Sequence, residues 1–381
     1  MSLSDILEHT VSKNIEISKE VVLYGAGNFA RECLKVLQQY NYEVLYIIDE
    51  KRYQENISIE SIPIISLYDV RLKASIKETC SCVLAVFNAY VDLSKLEIDI
   101  KEAGLSNIIN PLEFVDKFYG DMGDQFWLTS TNTLKEYKSN IINTYNKLAD
   151  YDSKKLYKSL IEYRVTKKLN IIKVPQCTEI PYIPKDINVK YPKLNFIDCG
   201  AYDGDTITKF IQHGMQIESY IAFEPDIVNI KKLSQNIKLL PGIKGLIYPC
   251  GVYSSSTQLR FSGEQGSASH IDEKGDTFIQ VVSMDEILVN YDINFIKMDI
   301  EGAEIEALKG AKKLIQKNRP FLAISAYHRF DDVWTIIELI SEWKLDYIFY
   351  LRIDEYNGFG LVYYAIPKSF LIEEEGIKYE K

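Results

Sequence analysis

The sequence predicts an α/β protein with two Rossmann-like parallel sheets joined by a helical connector. Three observations predict it. Apolar runs alternate with stretches of helical spacing over 20–113 and again over 194–370, the pattern of parallel sheets with covering helices. In each half the first apolar run ends in a glycine turn that leads into a helix, at Gly25–Ala30 and at Gly200–Thr206. Between the two halves, 131–169 keep a helical apolar stripe and lack a strand-like run.

In order along the chain, 20–24 read as a strand, and Cys33, Leu34, Leu37 and Tyr40 recur at helical spacing. Residues 44–48 form a second strand ending at Asp49, 82–87 another, 92–104 a helix stopped by Gly104, and 107–109 a last strand before Pro111. That makes a first domain over 1–113. A connector follows over 114–193. Leu134, Tyr137, Ile141, Tyr145 and Leu148 carry one helical stripe, Asp150–Asp152 break it, and Leu156, Leu160, Ile161 and Val165 resume it. Pro175, Pro181, Pro184 and Pro192 then impose an extended stretch, either a plain linker or an arm over a substrate. From 194 to 381 strands and helices alternate again, with a Ser/Gly-rich insertion over 257–282.

Composition narrows the function. A length of 381 residues suits two or three domains at roughly 150 residues each. With 46% apolar and 26% charged residues, and only 19 Gly and 11 Pro, the chain reads as globular. No apolar run approaches the roughly 18 residues of a membrane span. The first residues, with acids early and no apolar h-region, do not read as a signal peptide. A net charge of -10 argues against a general nucleic-acid binder. Six cysteines lack any CxxC pair and the chain has four His, so no zinc cage is expected. Cys33, Cys199 and Cys250 sit in apolar or Gly-rich stretches, as buried free thiols do, which suits a reducing cytoplasm.

The most informative stretch is 196–206. A buried strand ends in Asp198, and the chain turns through Gly200 and Gly204 into a helix whose N-terminus favours an anionic group. About 25 residues on, a second strand ends in Glu224, followed by Pro225; a carboxylate there can accept two ribose hydroxyls. This pairing reads as a nucleoside site and does not by itself separate NAD from S-adenosylmethionine. The spacing Asp-x-Gly-x-x-x-Gly favours S-adenosylmethionine. A third strand, 295–298, delivers Asp299 and Glu301 to its carboxyl end. Ligands of open α/β sheets sit at those ends, so three strands aim Asp198, Glu224 and Asp299 at one crevice.

Together, 196–206, Ala222–Pro225, Ser283–Glu286, 295–304, Leu308–Gly310 and Arg319–Pro320 resemble the FkbM family of S-adenosylmethionine-dependent methyltransferases, over about half the chain. The resemblance implies a class I methyltransferase sheet of seven strands whose last hairpin is antiparallel. It also implies O-methylation of a hydroxyl on a sugar, glycan precursor or related natural product. It places the cofactor along Asp198, Gly200, Tyr202, Asp205, Thr206, Glu224, Pro225, Gly251, Val252 and Asp299. Tyr202 departs from the family's usual Asn and could stack on or cover the cofactor.

The sulfonium methyl is already activated, so placing the acceptor oxygen in line is the main task, and a base helps a neutral hydroxyl. The candidates are His328, Asp299 and Glu301. His328 follows the strand 321–325 at another carboxyl end, and an ordinary imidazole is neutral at pH 7. It takes the proton, hydrogen-bonds the acceptor, or serves structure. No resident metal is expected, although Asp299 and Glu301 offer oxygens for a divalent cation. His270 reads as exposed loop, and His9 and His213 as structural.

In the first domain, Gly25-x-Gly27-x-x-Ala30, with Asn28 inside the turn and Asp49 22 residues after Gly27, matches the Ala-ended dinucleotide fingerprint. It also resembles the small nucleotide-binding domain at the front of some sugar acyltransferases. The motif either holds a nucleotide or is an inherited fold used for docking or homo-oligomerisation. The competing functions are an NAD-dependent sugar-modifying enzyme and a non-catalytic nucleotide-binding scaffold.

Overall fold

The computed structural model describes residues 2–8, 15–55, 57–123, 125–172, 180–240, 242–262, 270–271, 275 and 277–372. Its residues cluster into two units. One takes 1–142, 155–175 and 355–359; the other takes 143–154, 176–354 and 360–381.

The first unit is organised on six strands: β1 (Glu20–Tyr24), β2 (Glu43–Ile48), β3 (Ser58–Ile59), β4 (Ile62–Ile65), β5 (Ser81–Leu84) and β6 (Ile108–Ile109). They lie in the order β3-β4-β2-β1-β5-β6, parallel except for β3 against β4. Val21, Val22 and Leu23 are all buried, as a parallel strand covered on both faces requires. The helix Asn28–Gln39 buries Ala30, Cys33, Leu34, Val36 and Leu37. Tyr40, expected on the same stripe, is 49% exposed because the helix has ended there. The helix Leu93–Glu102 starts where the Asp92 carboxylate accepts the Ser94 and Lys95 N–H groups. Pro111 opens the next helix, where Asn110 and Glu113 form a capping box.

Residues 131–166 form the helices Thr131–Glu136, Lys138–Lys147 and Tyr151–Thr166. The last begins at Asp150, whose carboxylate accepts the Ser153 N–H at 2.8 Å.

The second unit holds β7 (Leu194–Cys199), β8 (Ile217–Phe223), β9 (Lys244–Tyr248), β10 (Gly251–Val252), β11 (Thr257–Ser262), β12 (His270–Ile271), β13 (Thr277–Val282), β14 (Phe295–Met298), β15 (Phe321–Ser325), β16 (Tyr347–Ile353) and β17 (Leu361–Pro367). Seven of these form the main sheet, β16-β17-β15-β14-β7-β8-β9, with β17 antiparallel to both neighbours. This is the seven-stranded sheet with an antiparallel last hairpin that the family resemblance implied. The ends of the Ser/Gly-rich insertion are β11 and β13, paired antiparallel in a smaller sheet. Its residues 263–269, 272–274 and 276 lie outside the described residues.

The core beside β7 is aromatic. Phe295 and Phe321 stack at 4.9 Å between centroids, and Phe196 meets Phe295 edge-on at 5.4 Å. Residues 180–192 pack on this sheet rather than leaving it. Ile183 and Ile187 enter its core, and the Lys190 N–H donates to the Phe370 carbonyl at 2.8 Å. Arg352 ties this stretch and the Asp150 turn to β16, reaching Asp186 at 2.7 Å and Asp150 at 2.6 Å. Pro175 and Cys177 of the proline-rich stretch lie outside the described residues. The five described cysteines are free and buried. Among the described residues no helix is long and apolar enough to cross a membrane.

Candidate active site

Strands β8, β7, β14 and β15 are sheet neighbours and run parallel, so their carboxyl ends form one edge. The first turn on that edge is held by backbone: the Gly200 and Ala201 N–H groups donate to the Phe223 carbonyl at 3.0 and 3.1 Å. Gly200 has φ +75°, and a Cβ there would lie 1.9 Å from the Asp299 carbonyl oxygen. The glycine is therefore required by the approach of two neighbouring loops, not only by approach to a ligand. Gly204, at φ 85°, starts the helix Asp205–Gln212.

Asp198 is fully buried behind this edge. Its Oδ1 lies 3.1 Å from the Lys297 ammonium, and its Oδ2 accepts the Tyr220 hydroxyl at 3.0 Å. Lys297 also donates to the Gly200 carbonyl at 2.6 Å. Burial alone would push the Lys297 ammonium's pKa down; Asp198, then Asp299, outweigh it and push it up. Lys297 was not singled out from the sequence. Its signal is one lysine inside the apolar run of β14, a residue type that is buried only when paired.

Glu224, at the end of β8, is 5% exposed. Its Oε2 accepts the Tyr202 N–H at 2.9 Å, and its Oε1 accepts the Asp226 N–H at 2.9 Å and the Asn229 amide at 3.4 Å. A carboxylate offers about four acceptor positions, so about one remains for a ligand hydroxyl. Tyr202 adopts φ 48°, and it is its backbone that meets Glu224. Pro225 links Glu224 to Asp226, which caps the helix Ile227–Lys238. Thr206 is buried at the start of its helix, whereas Asp205 is exposed and paired with Lys209 at 3.0 Å. Gly251 and Val252 pair with Val281 and Val282 in the smaller sheet, directly after β9.

The ends of β14 and β15 bring the three predicted catalytic residues together. His328 Nε2 lies 3.3 Å from Asp299 Oδ1 and 3.6 Å from Glu301 Oε2. Its Nδ1 lies 2.9 Å from Glu304 Oε1, which also accepts the Ile300 N–H at 2.9 Å. A carboxylate can only accept here, so Nδ1 carries the hydrogen. Glu304 is fully buried. Glu301 sits at φ 54°, an uncommon conformation for a residue with a side chain. Asp299 also accepts the Tyr182 hydroxyl at 2.7 Å and the Tyr327 hydroxyl at 3.1 Å. Tyr182 comes from the stretch 180–192, and its ring lies 5.2 Å from the Lys297 ammonium. No pattern in the sequence marks that tyrosine.

Charge settles the imidazole. Burial would push the His328 pKa down, but Glu304, Glu301 and Asp299 outweigh it and hold it up at about 10. The expectation of a neutral imidazole near pH 7 is corrected accordingly: with only protons to balance them, the three carboxylates keep it charged. Burial works to raise the Asp299 pKa, yet His328 and Lys297 hold it below its ordinary value. Burial, helped by Asp299 and Glu304, pushes Glu301 up to about 7. Asp332, another buried acid, is pushed up to about 8 by burial and then Glu304.

Of the other histidines, His213 is the one whose side chain is among the described residues. His213 Nδ1 is 2.8 Å from the Lys209 carbonyl on an exposed helix end. His9 and the side chain of His270 lie outside the described residues.

In the first unit, the Asp49 carboxylate accepts the Ala26 N–H at 3.1 Å and the Lys51 and Arg52 N–H groups at 3.0 Å each. Most of the acceptor capacity expected to meet a ribose is thus spent on the loop itself. Gly25 has φ +117°, and a Cβ there would lie 2.6 Å from the Ala85 carbonyl oxygen. A Cβ on Gly27 would meet nothing within 4 Å. Asn28 opens the helix Asn28–Gln39.

Comparison with known proteins bears on the family and the fold. Residues 198–349 match the family model of the methyltransferase FkbM domain. Residues 20–91 match that of the PglD N-terminal domain. The chain is similar to a curated protein named hexuronic acid methyltransferase AglP, from Haloferax volcanii, with 30% identity over 131 residues. That stretch is 32% of this chain and 53% of the relative, so the chain spans about half the relative's length. A crystal structure of methyltransferase FkbM from Methylobacillus flagellatus KT superposes with a TM-score of 0.77 at 20% identity, covering 95% of this chain and 92% of that one. At that identity the likeness speaks for the fold.

Proposed function

Starting from a C-terminal part that is a methyltransferase domain of the FkbM family, we propose that the protein is an S-adenosylmethionine-dependent O-methyltransferase. Its acceptor is a hydroxyl of a sugar, glycan precursor or related natural product. The carrying observation is the shared edge of β8, β7, β14 and β15, which gathers Glu224, Gly200, Asp299 and His328. The name of the half-covered relative, a hexuronic acid methyltransferase, supports a sugar acceptor. Five buried free thiols suit a reducing compartment, the cytoplasm.

The residues present fit such a donor. Glu224 keeps about one acceptor position beyond its three N–H partners, which suits a ribose hydroxyl. The Asp299 carboxylate beside the Gly200 turn suits a cationic centre. Bound there, S-adenosylmethionine supplies a methyl group on a sulfonium, already activated for transfer. The chain's own task is to hold the acceptor hydroxyl in line and take its proton. Glu301, within 3.6 Å of His328 Nε2 and pushed up to about 7 by burial, receives that proton, while Asp299, held below its ordinary value, stays ionised beside it. Positive charge on His328 keeps the two acids close together.

Calorimetric titration with S-adenosylhomocysteine and, in parallel, NAD tests the reading. S-adenosylhomocysteine is expected to bind and NAD is not. Glu224→Ala is expected to lower the affinity about 30-fold, equivalent to about 2 kcal/mol, from a lost charged hydrogen bond and a loosened Tyr202 loop. No heat from the wild type, or equal binding by the variant, removes the assignment. Gly27→Val, with open space around it in the other unit, is expected to leave this binding unchanged within about twofold. A large loss there would mean that the first unit takes part in holding the donor.

A further inference from the structure

We propose that His328, Asp299 and Glu301 hold a divalent cation of the Mn2+ class, bound through His328 Nε2 and one oxygen from each acid. The placement stands on geometry alone; only the cation's use rests on the methyl-transfer reading.

Three observations carry it. First, the His328 side chain is 2% exposed, and its Nε2 has no hydrogen-bond partner. A buried ring nitrogen that faces two acids without a formed hydrogen bond is poorly satisfied, and a cation shared with both acids would satisfy it. Second, that nitrogen points between two carboxylate oxygens, at 3.3 and 3.6 Å. Donors about 2.1 Å from a shared cation at right angles stand about 3.0 Å apart, so a small inward movement closes the set. Third, the other ring nitrogen is already fixed by buried Glu304 at 2.9 Å. Metal-bound imidazoles are held in this way, with the far N–H given to a carboxylate so that the near lone pair faces the metal.

One nitrogen and two carboxylate oxygens favour a cation between the hard and borderline classes, and Mn2+ is a suitable probe. Two carboxylates and a neutral imidazole leave the ion's charge balanced. Such an ion would polarise an acceptor hydroxyl and ease loss of its proton. Binding through Glu301 Oε2 leaves the other oxygen of that acid for the proton. Glu304 acts as a positioning residue: it touches the ring and not the ion.

The test uses the full chain, stripped with a chelator, desalted and titrated with MnCl2, with free Mn2+ read by electron paramagnetic resonance. One bound Mn2+ per chain is expected, displaced by excess Mg2+. Asp299→Asn and Glu301→Gln, both close in shape to the native side chains, are each expected to weaken binding at least about 10-fold. Glu304→Gln is expected to weaken it about 10- to 100-fold without contact to the ion. Amide hydrogen exchange over β14 and β15 separates lost binding from lost folding. If the wild type leaves Mn2+ free at millimolar concentration, with and without S-adenosylhomocysteine, the proposal is wrong. It is also wrong if folded Asp299→Asn and Glu301→Gln variants both bind like the wild type. Calorimetry with S-adenosylhomocysteine on the same samples judges the methyl-donor reading separately.

Discussion

Replacing His328 with alanine is expected to lower the methyl-transfer rate by about 100-fold or more, while S-adenosylhomocysteine affinity changes less than about threefold. The ring stands between buried Glu304 on one side and Asp299 and Glu301 on the other. Its removal leaves three acids in one cluster with only Lys297, acting on Asp299, to offset them. Like charges then push Asp299 and Glu301 apart or force a proton onto one of them, and either change spoils proton removal from the acceptor. The result does not depend on whether a proton or a divalent cation sits on Nε2. Glu224 and the Gly200 turn lie on neighbouring strands, which is why donor affinity is spared. Single-turnover rates at saturating donor, with hydrogen exchange to verify folding, measure the effect. A rate within about threefold of the wild type takes His328 out of the mechanism.

Lys297→Met is expected to destabilise the second unit by about 3–5 kcal/mol. Met preserves length and apolar packing, so the change isolates the charge. Asp198 is fully buried and Lys297 nearly so, 3.1 Å apart. Without the ammonium, Asp198 keeps only the Tyr220 hydroxyl and must be protonated or pay the cost of an unpaired buried charge. The Gly200 carbonyl also loses its 2.6 Å donor. Since the chain has two units, global unfolding is a poor gauge; the opening free energy of β7 and β14 amides by hydrogen exchange is the proper one. The double variant Asp198→Asn with Lys297→Met is expected to regain at least about 1 kcal/mol. A loss below about 1 kcal/mol in the single variant would show that the pair contributes little.

Much of this protein was legible in its sequence because the signals are local. The apolar runs of β1, β5, β7, β14 and β15 mark strands buried on both faces, and the glycines at 25, 200 and 204 mark turns that need φ above zero. Strand ends carrying Asp198, Glu224 and Asp299 follow from the rule that parallel sheets present their carboxyl ends together. The antiparallel hairpin at the end of the sheet came from family resemblance. Tertiary structure decided what those side chains do. Asp198 looked like a ligand contact in sequence, yet an ammonium from the adjacent strand holds it. Glu224 looked free to meet a ribose, yet three N–H donors, from its own loop, the neighbouring loop and the helix Ile227–Lys238, use most of it. His328 looked like an ordinary imidazole; three acids, separated from it by 24 to 29 residues, hold its pKa above the ordinary value. Tyr182, 117 residues from Asp299, left no trace in the pattern. Periodicity records which face of an element is buried, because burial acts on each residue in turn. The charge and hydrogen-bond state of a site depends on pairs of groups that meet only when distant strands lie side by side, and the fold alone sets those distances.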